Sequence, residues 1–174
     1  MIPDEELLQR ARSGDPDAFE ALYRRHRDWV HRVAWRFTGN QQDALDVLQE
    51  TFIYVLKKLP GLCLTASMTT FLYPVVKHLS LNLRRRHGVN AGADILLASP
   101  DPAVPPAPRA ELAAALAGLS PEQREVILMR FVDDLALDEI AAALNVPVGT
   151  IKSRLHRALE TLRQDPRTRD YFLE

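Results

Sequence analysis

Apolar residues recur along this chain at the spacing of a single helix face, with polar and charged residues filling the intervals. Between Asp15 and Gly39 the apolar set is Phe19, Leu22, Tyr23, Val30, Val33, Ala34 and Phe37, separated mostly by three, four or seven positions. That predicts one buried stripe on a helix of about six turns, at ~3.6 residues per turn. Asp15-Pro16 supplies the start, an N-cap carboxylate followed by a proline whose missing N–H costs nothing at the first helical position. Gly39 supplies the stop. Asn40 can cap the next helix, with Asp43 three residues on, and Leu45, Leu48, Phe52, Val55, Leu56 and Leu59 form its expected stripe before Pro60-Gly61 ends it. A third helix is expected from about Met68 to Arg86. Pro74 lies inside it, and an interior proline removes a backbone hydrogen bond, so a bend is expected near Phe71–Tyr73.

The periodicity dissolves between His87 and Pro108. Five of the twelve prolines fall at positions 100, 102, 105, 106 and 108, among alanine and glycine, which is linker composition. Residues 1–87 are therefore read as one domain, 88–108 as a flexible tether and 109–174 as a second domain. Helical pattern resumes near Arg109, and Ser120-Pro121-Glu122-Gln123 has the residues of a capping box. No segment alternates like a strand, so the fold class is all-α, two small helical domains.

The second domain carries the informative segment, Leu137 to Leu162. Ile140, Ala141 and Leu144 give a short helix its apolar side. Asn145-Val146-Pro147 breaks that helix, and Pro147 can open another in which Val148, Ile151, Leu155, Ala158, Leu159 and Leu162 share one face. The opposite face shows Thr150, Lys152, Ser153, Arg154, His156 and Arg157. A short helix, a tight turn and a second helix with a basic outer face is a helix-turn-helix. Arginine can grip guanine O6 and N7 with both arms of its fork, while Lys, Ser and Thr reach phosphates and base edges. An amphipathic surface helix with a solvated charged face is the plainer alternative. The proline-marked turn and the shortage of acids on the outer face weigh against it.

Charge sharpens this picture only through its distribution. The 174 residues sum to a net charge of −1. Yet Arg24, Arg25, Arg27, Arg32 and Arg36 face the single acid Asp28, and Lys77, Arg84, Arg85 and Arg86 face none. Acids collect instead at Asp43, Asp46 and Glu50. A chain segregated by sign can dock a polyanion on one surface and a basic protein on another. The one cysteine, Cys63, excludes an internal disulfide, and His26 and His31 are five apart and point to different helix faces, so no metal and no cofactor are expected. The acidic start lacks the apolar core of a signal peptide, and no apolar run approaches the ~20 residues a membrane span needs. A soluble cytoplasmic protein is the expectation.

Four segments in order resemble one family. Residues 147–158, from Pro147-Val148-Gly149-Thr150 through Arg157-Ala158, resemble the recognition helix of extracytoplasmic-function sigma factors of bacterial RNA polymerase. Gly118-Leu119-Ser120-Pro121-Glu122-Gln123-Arg124 resembles the opening of their C-terminal domain. Asp43-Ala44-Leu45-Asp46-Val47-Leu48-Gln49-Glu50-Thr51-Phe52 resembles their polymerase-clamp helix, and Phe71-Leu72-Tyr73 through Leu83-Arg84-Arg85-Arg86 their helix for the downstream (−10) promoter element. The resemblance implies that residues 1–87 (region 2) hold the polymerase clamp through Asp43, Asp46, Gln49 and Glu50. The same domain would capture melted −10 DNA with Phe71, Tyr73, Lys77, Arg84, Arg85 and Arg86. Residues 109–174 (region 4) would contact the polymerase flap and read the upstream (−35) duplex. An anti-sigma protein is the implied regulator, and no catalysis is implied. Some positions depart from the family pattern: Leu45 stands where Glu is usual, Phe71 where Trp is usual, and Asp134 and Ala136 where Gly and a capping Ser or Thr are common. An uncapped start at Ala136 weakens that helix by about 1 kcal/mol.

Other readings remain at this point. Phe71 and Tyr73 can stack on unpaired bases or belong to the core. The Arg84–Arg86 run can bind phosphate or merely complement a helix dipole. A repressor or activator acting without polymerase would explain the helix-turn-helix and leave the acidic Asp43–Glu50 face unused. A nucleic-acid enzyme would need a carboxylate cluster or nucleophile–base pair that the chain does not display.

Overall fold

The computed structural model of the chain describes residues 2–88 and 106–168, and all of its regular structure there is helical. It divides into two units, Met1–Ala91 and Gly92–Glu174. The tether expected over 88–108 lies largely outside the described residues. The helix expected from about Arg109 already begins at Pro106.

The first unit holds α1 (Asp4–Arg12), α2 (Pro16–Thr38), α3 (Gln41–Lys58), a 3-10 turn (Leu59–Gly61) and α4 (Met68–Arg86). α2 is the central element, packed against α1, α3 and α4. Its ends are built as the sequence suggests. The Asp15 carboxylate accepts from the Asp17 and Ala18 amides at 3.0 and 3.3 Å, and Gly39 closes the helix at φ 77°, a left-handed conformation that glycine adopts without penalty. The Asn40 side chain accepts from the Asp43 amide at 2.8 Å and starts α3. Leu22, Val30, Val33 and Ala34 of α2 are completely buried, as are Val47, Val55, Leu72 and Val76 of the helices it packs on, and each large side chain so buried contributes about 1.5–3 kcal/mol.

The sequence carried no expectation for α1; Leu7, Leu8 and Ala11 are its buried residues, and it packs on α2. The buried arc of α3 is Ala44, Val47, Leu48, Thr51, Phe52 and Val55, not the larger-residue stripe that includes Leu56. Of the expected stripe, Leu48, Phe52, Val55 and Leu59 are buried, Leu45 is half-buried and Leu56 is 47 % exposed. α4 runs as one helix from Met68 to Arg86 with Pro74 inside it. The proline lies on its exposed side, so its ring displaces nothing in the core.

The second unit holds α5 (Pro106–Ala117), α6 (Pro121–Phe131), α7 (Leu137–Leu144) and α8 (Val148–Gln164). The capping box at α6 forms: the Ser120 hydroxyl accepts from the Gln123 amide and the Gln123 side chain accepts from the Ser120 amide, at 3.3 and 3.1 Å. Ala115, Leu116 and Leu119 join Ile127 and Leu128 of α6 and Ala158 and Leu162 of α8 in one cluster. The buried Arg124 ties this junction together by donating to the carbonyls of Leu116, Ala117 and Leu119 at 2.8, 3.1 and 3.1 Å.

Candidate nucleic-acid and protein interfaces

α7 and α8 are joined by a turn whose geometry follows from its residues. Asn145 adopts a left-handed conformation at φ 53°, which Asn tolerates better than most residues. The Val146 and Asn145 amides then bond back to Ala141 O and Ala142 O at 3.0 and 3.3 Å and close α7. Pro147 is the N-cap of α8, with its carbonyl accepting from Thr150 and Ile151. At the other end of α7, Ala136 offers no side-chain cap, as expected. The Glu139 carboxylate instead accepts from the Ala136 amide at 2.9 Å, and Asp134 takes the positive φ of 56° where the family pattern has Gly.

Ile151, Ala158 and Leu162 fix the inner face of α8, with Leu155 and Leu159 half-buried beside them. Val148, assigned to that face by periodicity, is the first residue of α8 and is 37 % exposed. Lys152, Ser153, His156 and Arg157 are exposed, and Thr150 and Arg154 half-buried at the margins. Among the described residues no carboxylate pairs with Lys152, Arg154 or Arg157. The Ser153 hydroxyl donates to Gly149 O at 3.0 Å and keeps its oxygen available as an acceptor. The result is a cationic surface with hydrogen-bonding capacity on the second helix of a helix-turn-helix.

On α3 of the first unit, Asp46, Gln49 and Glu50 share an exposed sector. Asp43 does not stand free with them. Its side chain is only 13 % exposed, accepts from Asn40 Nδ2 at 2.7 Å and lies 3.4 Å from His87 Nδ1, so it secures the start of α3. Exposed Ile53, 48 % accessible and seven residues on from Asp46, extends the same face with an apolar group.

α4 separates its predicted residues into two groups. Tyr73 is completely buried and packs edge-on against Phe37, with Trp29 beyond it. It presents no ring face to a base, and the core reading wins. Arg84 is also buried, and its guanidinium donates to Phe37 O at 3.1 Å, bracing the end of α4 against the end of α2. It is a structural arginine, not a surface cation. Arg85 and Arg86 are exposed, with Arg85 donating to the Asn82 side chain. Lys77 is half-buried.

Phe71 lies half-buried and stacked on Tyr54 of α3, with ring centroids 6.4 Å apart and planes 26° from parallel. Beside it Lys57, Lys58, Pro60, Gly61, Leu62 and Cys63 line a surface cavity of about 440 Å³. The Lys58 ammonium sits 5.7 Å from the Tyr54 ring centre. An aromatic ring and two lysines lining one cavity suit an unpaired base and its phosphate. Lys57, Lys58 and Tyr54 were missed from sequence, because only the return of the chain through the 3-10 turn brings the end of α3 beside Phe71. The doubled lysine before Pro60-Gly61 was the one available signal.

Among the described residues no group of His, Cys, Asp or Glu is arranged to hold a metal ion, and no helix is long and apolar enough to cross a membrane.

Fold and surfaces together define a two-unit helical protein with a helix-turn-helix in its second unit. Residues 22–89 match Sigma-70 region 2, and residues 109–162 match Sigma-70 region 4. The chain is 35 % identical over 161 residues to the ECF RNA polymerase sigma factor SigE of Mycolicibacterium smegmatis, covering 84 % of this chain and 60 % of that protein. It is 32 % identical to the ECF RNA polymerase sigma factor SigL of Mycobacterium tuberculosis, covering 88 % of this chain and 91 % of SigL. The solved structure of CnrH in complex with the cytosolic domain of CnrY superposes with a TM-score of 0.69 at 25 % identity, over 91 % of this chain and 93 % of that one. The chain belongs to the ECF family of RNA polymerase sigma factors.

Proposed function

We propose that this protein binds RNA polymerase core and directs it to promoters carrying −10 and −35 elements, acting in the cytoplasm and without chemistry of its own. The observation that carries the reading is the outer face of α8: Lys152, Ser153, His156 and Arg157 stand exposed on the second helix of a helix-turn-helix, its cations unpaired by any described carboxylate. Such a face can enter a major groove, where Arg157 suits a guanine contact and Lys152 and Arg154 neutralise phosphates.

In the first unit, Asp46, Gln49 and Glu50, extended by Ile53, form the polymerase-binding face, with Asp43 holding the helix that presents them. The −10 surface is the cavity of Phe71, Lys57 and Lys58, supported by Lys77, Arg85 and Arg86. Tyr73 and Arg84 belong to the packing of α4 on α2. The CnrH structure is a complex with the cytosolic domain of CnrY, which supports control of this chain by an anti-sigma partner.

Run-off transcription with purified core polymerase on a promoter library tests the whole reading. Adding this chain should yield discrete transcripts from a subset sharing two spaced elements. Equal transcription with and without it, or promoter binding that needs no core polymerase, would overturn it in favour of a stand-alone regulator.

A further inference from the structure

α1 lies outside every motif that points to function, yet its last turn reaches the loop that lines the cavity beside Phe71. Arg12 donates from Nη2 to the carbonyl of Leu62, fifty residues away. Leu62 is buried at 7 % exposure, and its neighbours Gly61 and Cys63 share the cavity wall with it. Downstream the same loop is fastened at Ser67, whose hydroxyl accepts from the Thr70 amide at 3.3 Å and caps α4. The backbone between Leu62 and Ser67 has no helix of its own. Leu62 also donates its own amide to Leu59 O at 3.4 Å, so the Arg12 bond is the tie that reaches this loop from α1 and the Ser67 cap its tie to α4.

α1 is built to transmit such a restraint. Leu7, Leu8 and Ala11 bury its inner face. At its start the Asp4 carboxylate pairs with Arg25 and lies 2.8 Å from His26 Nε2, while Arg25 also donates to Ile2 O at 2.8 Å. Near its end Arg10 pairs with Asp15 at 2.8 Å. A helix held along its face and at both ends gives Arg12 a fixed origin. A guanidinium bonded to a part-buried carbonyl is the stronger, charge-assisted kind of hydrogen bond.

We infer that Arg12 is a positioning residue for −10 recognition: by holding Leu62 O it sets the wall of the Phe71–Lys57–Lys58 cavity and so sharpens which unpaired base the cavity accepts. This rests on the −10 reading of that cavity proposed above. Arg12 touches no DNA itself and acts through the loop. Its loss frees the Leu62–Ser67 backbone, and the cavity accepts more than one base.

Cys63 makes the test direct, since it is the only cysteine, is exposed and follows Leu62. A nitroxide attached there reports loop motion by electron paramagnetic resonance in the whole 174-residue chain without DNA. Arg12→Ala should mobilise the label, and Arg12→Lys, which keeps one donor, should mobilise it less. In unlabelled protein with core polymerase, Arg12→Ala should reduce discrimination among single-base −10 variants by about fivefold, part of the roughly tenfold that one charge-assisted hydrogen bond is worth. Discrimination at −35 and core affinity should hold, and the melting temperature should fall only by the few degrees that one lost hydrogen bond costs. A purely structural role would instead depress all promoters alike, and simple loss of charge would weaken all sequences equally; either result overturns the inference. An unchanged nitroxide spectrum in Arg12→Ala overturns it too, whatever transcription does. If the label loosens and discrimination stays, Arg12 holds the loop but not specificity, and the inference fails. Phe71→Ala then decides the cavity separately: unchanged −10 discrimination in that variant removes the −10 reading itself.

Discussion

Replacing Arg124 with alanine should open the second unit while leaving the first intact. The side chain is 4 % exposed and spans the junction of α5 and α6, donating to Leu116, Ala117 and Leu119 carbonyls. The bonds to Leu116 and Leu119 are buried. The bond to Ala117 is part-buried beside an exposed residue, so water can replace it. Two buried charge-assisted bonds, at about 1.5–3 kcal/mol each and not fully additive, place the loss at about 3–5 kcal/mol. That is a large share of the roughly 4–12 kcal/mol a unit of this size commands. Leu116 and Leu119 belong to the cluster that supports Ala158 and Leu162, so the loss reaches α8 and with it −35 binding. Native-state hydrogen exchange on the full chain reads the opening free energy of α6 and α8 directly. Fluorescence supplies the control, because Trp29 and Trp35 both lie in the first unit and should report an unchanged transition. Arg124→Lys, a single point donor in place of a planar fork, should recover less than half of the loss. A decrease under about 1 kcal/mol in the alanine variant, or full recovery by lysine, would refute the assignment of Arg124 as the clasp of this junction.

The remaining predictions concern the three surfaces and one buried histidine. Arg157→Ala should cost about 1–3 kcal/mol on the preferred promoter and relax one −35 base pair, whereas Lys152→Ala should weaken all sequences alike and flatten the salt dependence by about one unit of slope. Holoenzyme binding to single-base −35 variants at several salt concentrations separates the two, and identical sequence-independent losses would leave α8 only an electrostatic surface. Reversing Asp46 and Glu50 to lysine should abolish core-polymerase binding with the helical circular dichroism unchanged; retained affinity would remove α3 as the contact. Burial holds His26 below its ordinary pKa, against the opposing pull of Asp4. The unfolded chain therefore takes up the proton first, and the first unit should be fully stable above about pH 6.5 and lose stability as pH falls below it. In urea titrations followed by tryptophan fluorescence, His26→Gln should flatten that decline, and an equally steep decline in the variant would assign it elsewhere.

Sequence alone determined the helical class, the starts of α2, α3 and α6 and the helix-turn-helix, because those depend on local chemistry: a capping side chain, a proline at the first turn, a left-handed Gly or Asn, and an apolar period. It also brought the exposed cations of α8 into view, since the Ile151–Ala158–Leu162 face leaves them one direction to point. What it could not decide was which equally placed residues face inward when a helix has neighbours on several sides. Tyr73 and Phe71 are two apart on α4, yet one fills the core against Phe37 and the other stacks on Tyr54 at the surface. Arg84 and Arg85 are adjacent, yet the first spends its guanidinium on Phe37 O. α1 is nine residues long, below the length at which local propensity alone holds a helix. Packing of Leu7 and Leu8 on α2 makes it a helix, and only that docking carries Arg12 to Leu62. Local signals act over a few residues, whereas the partner that fixes a side chain's direction lies dozens of residues away, brought there by the fold.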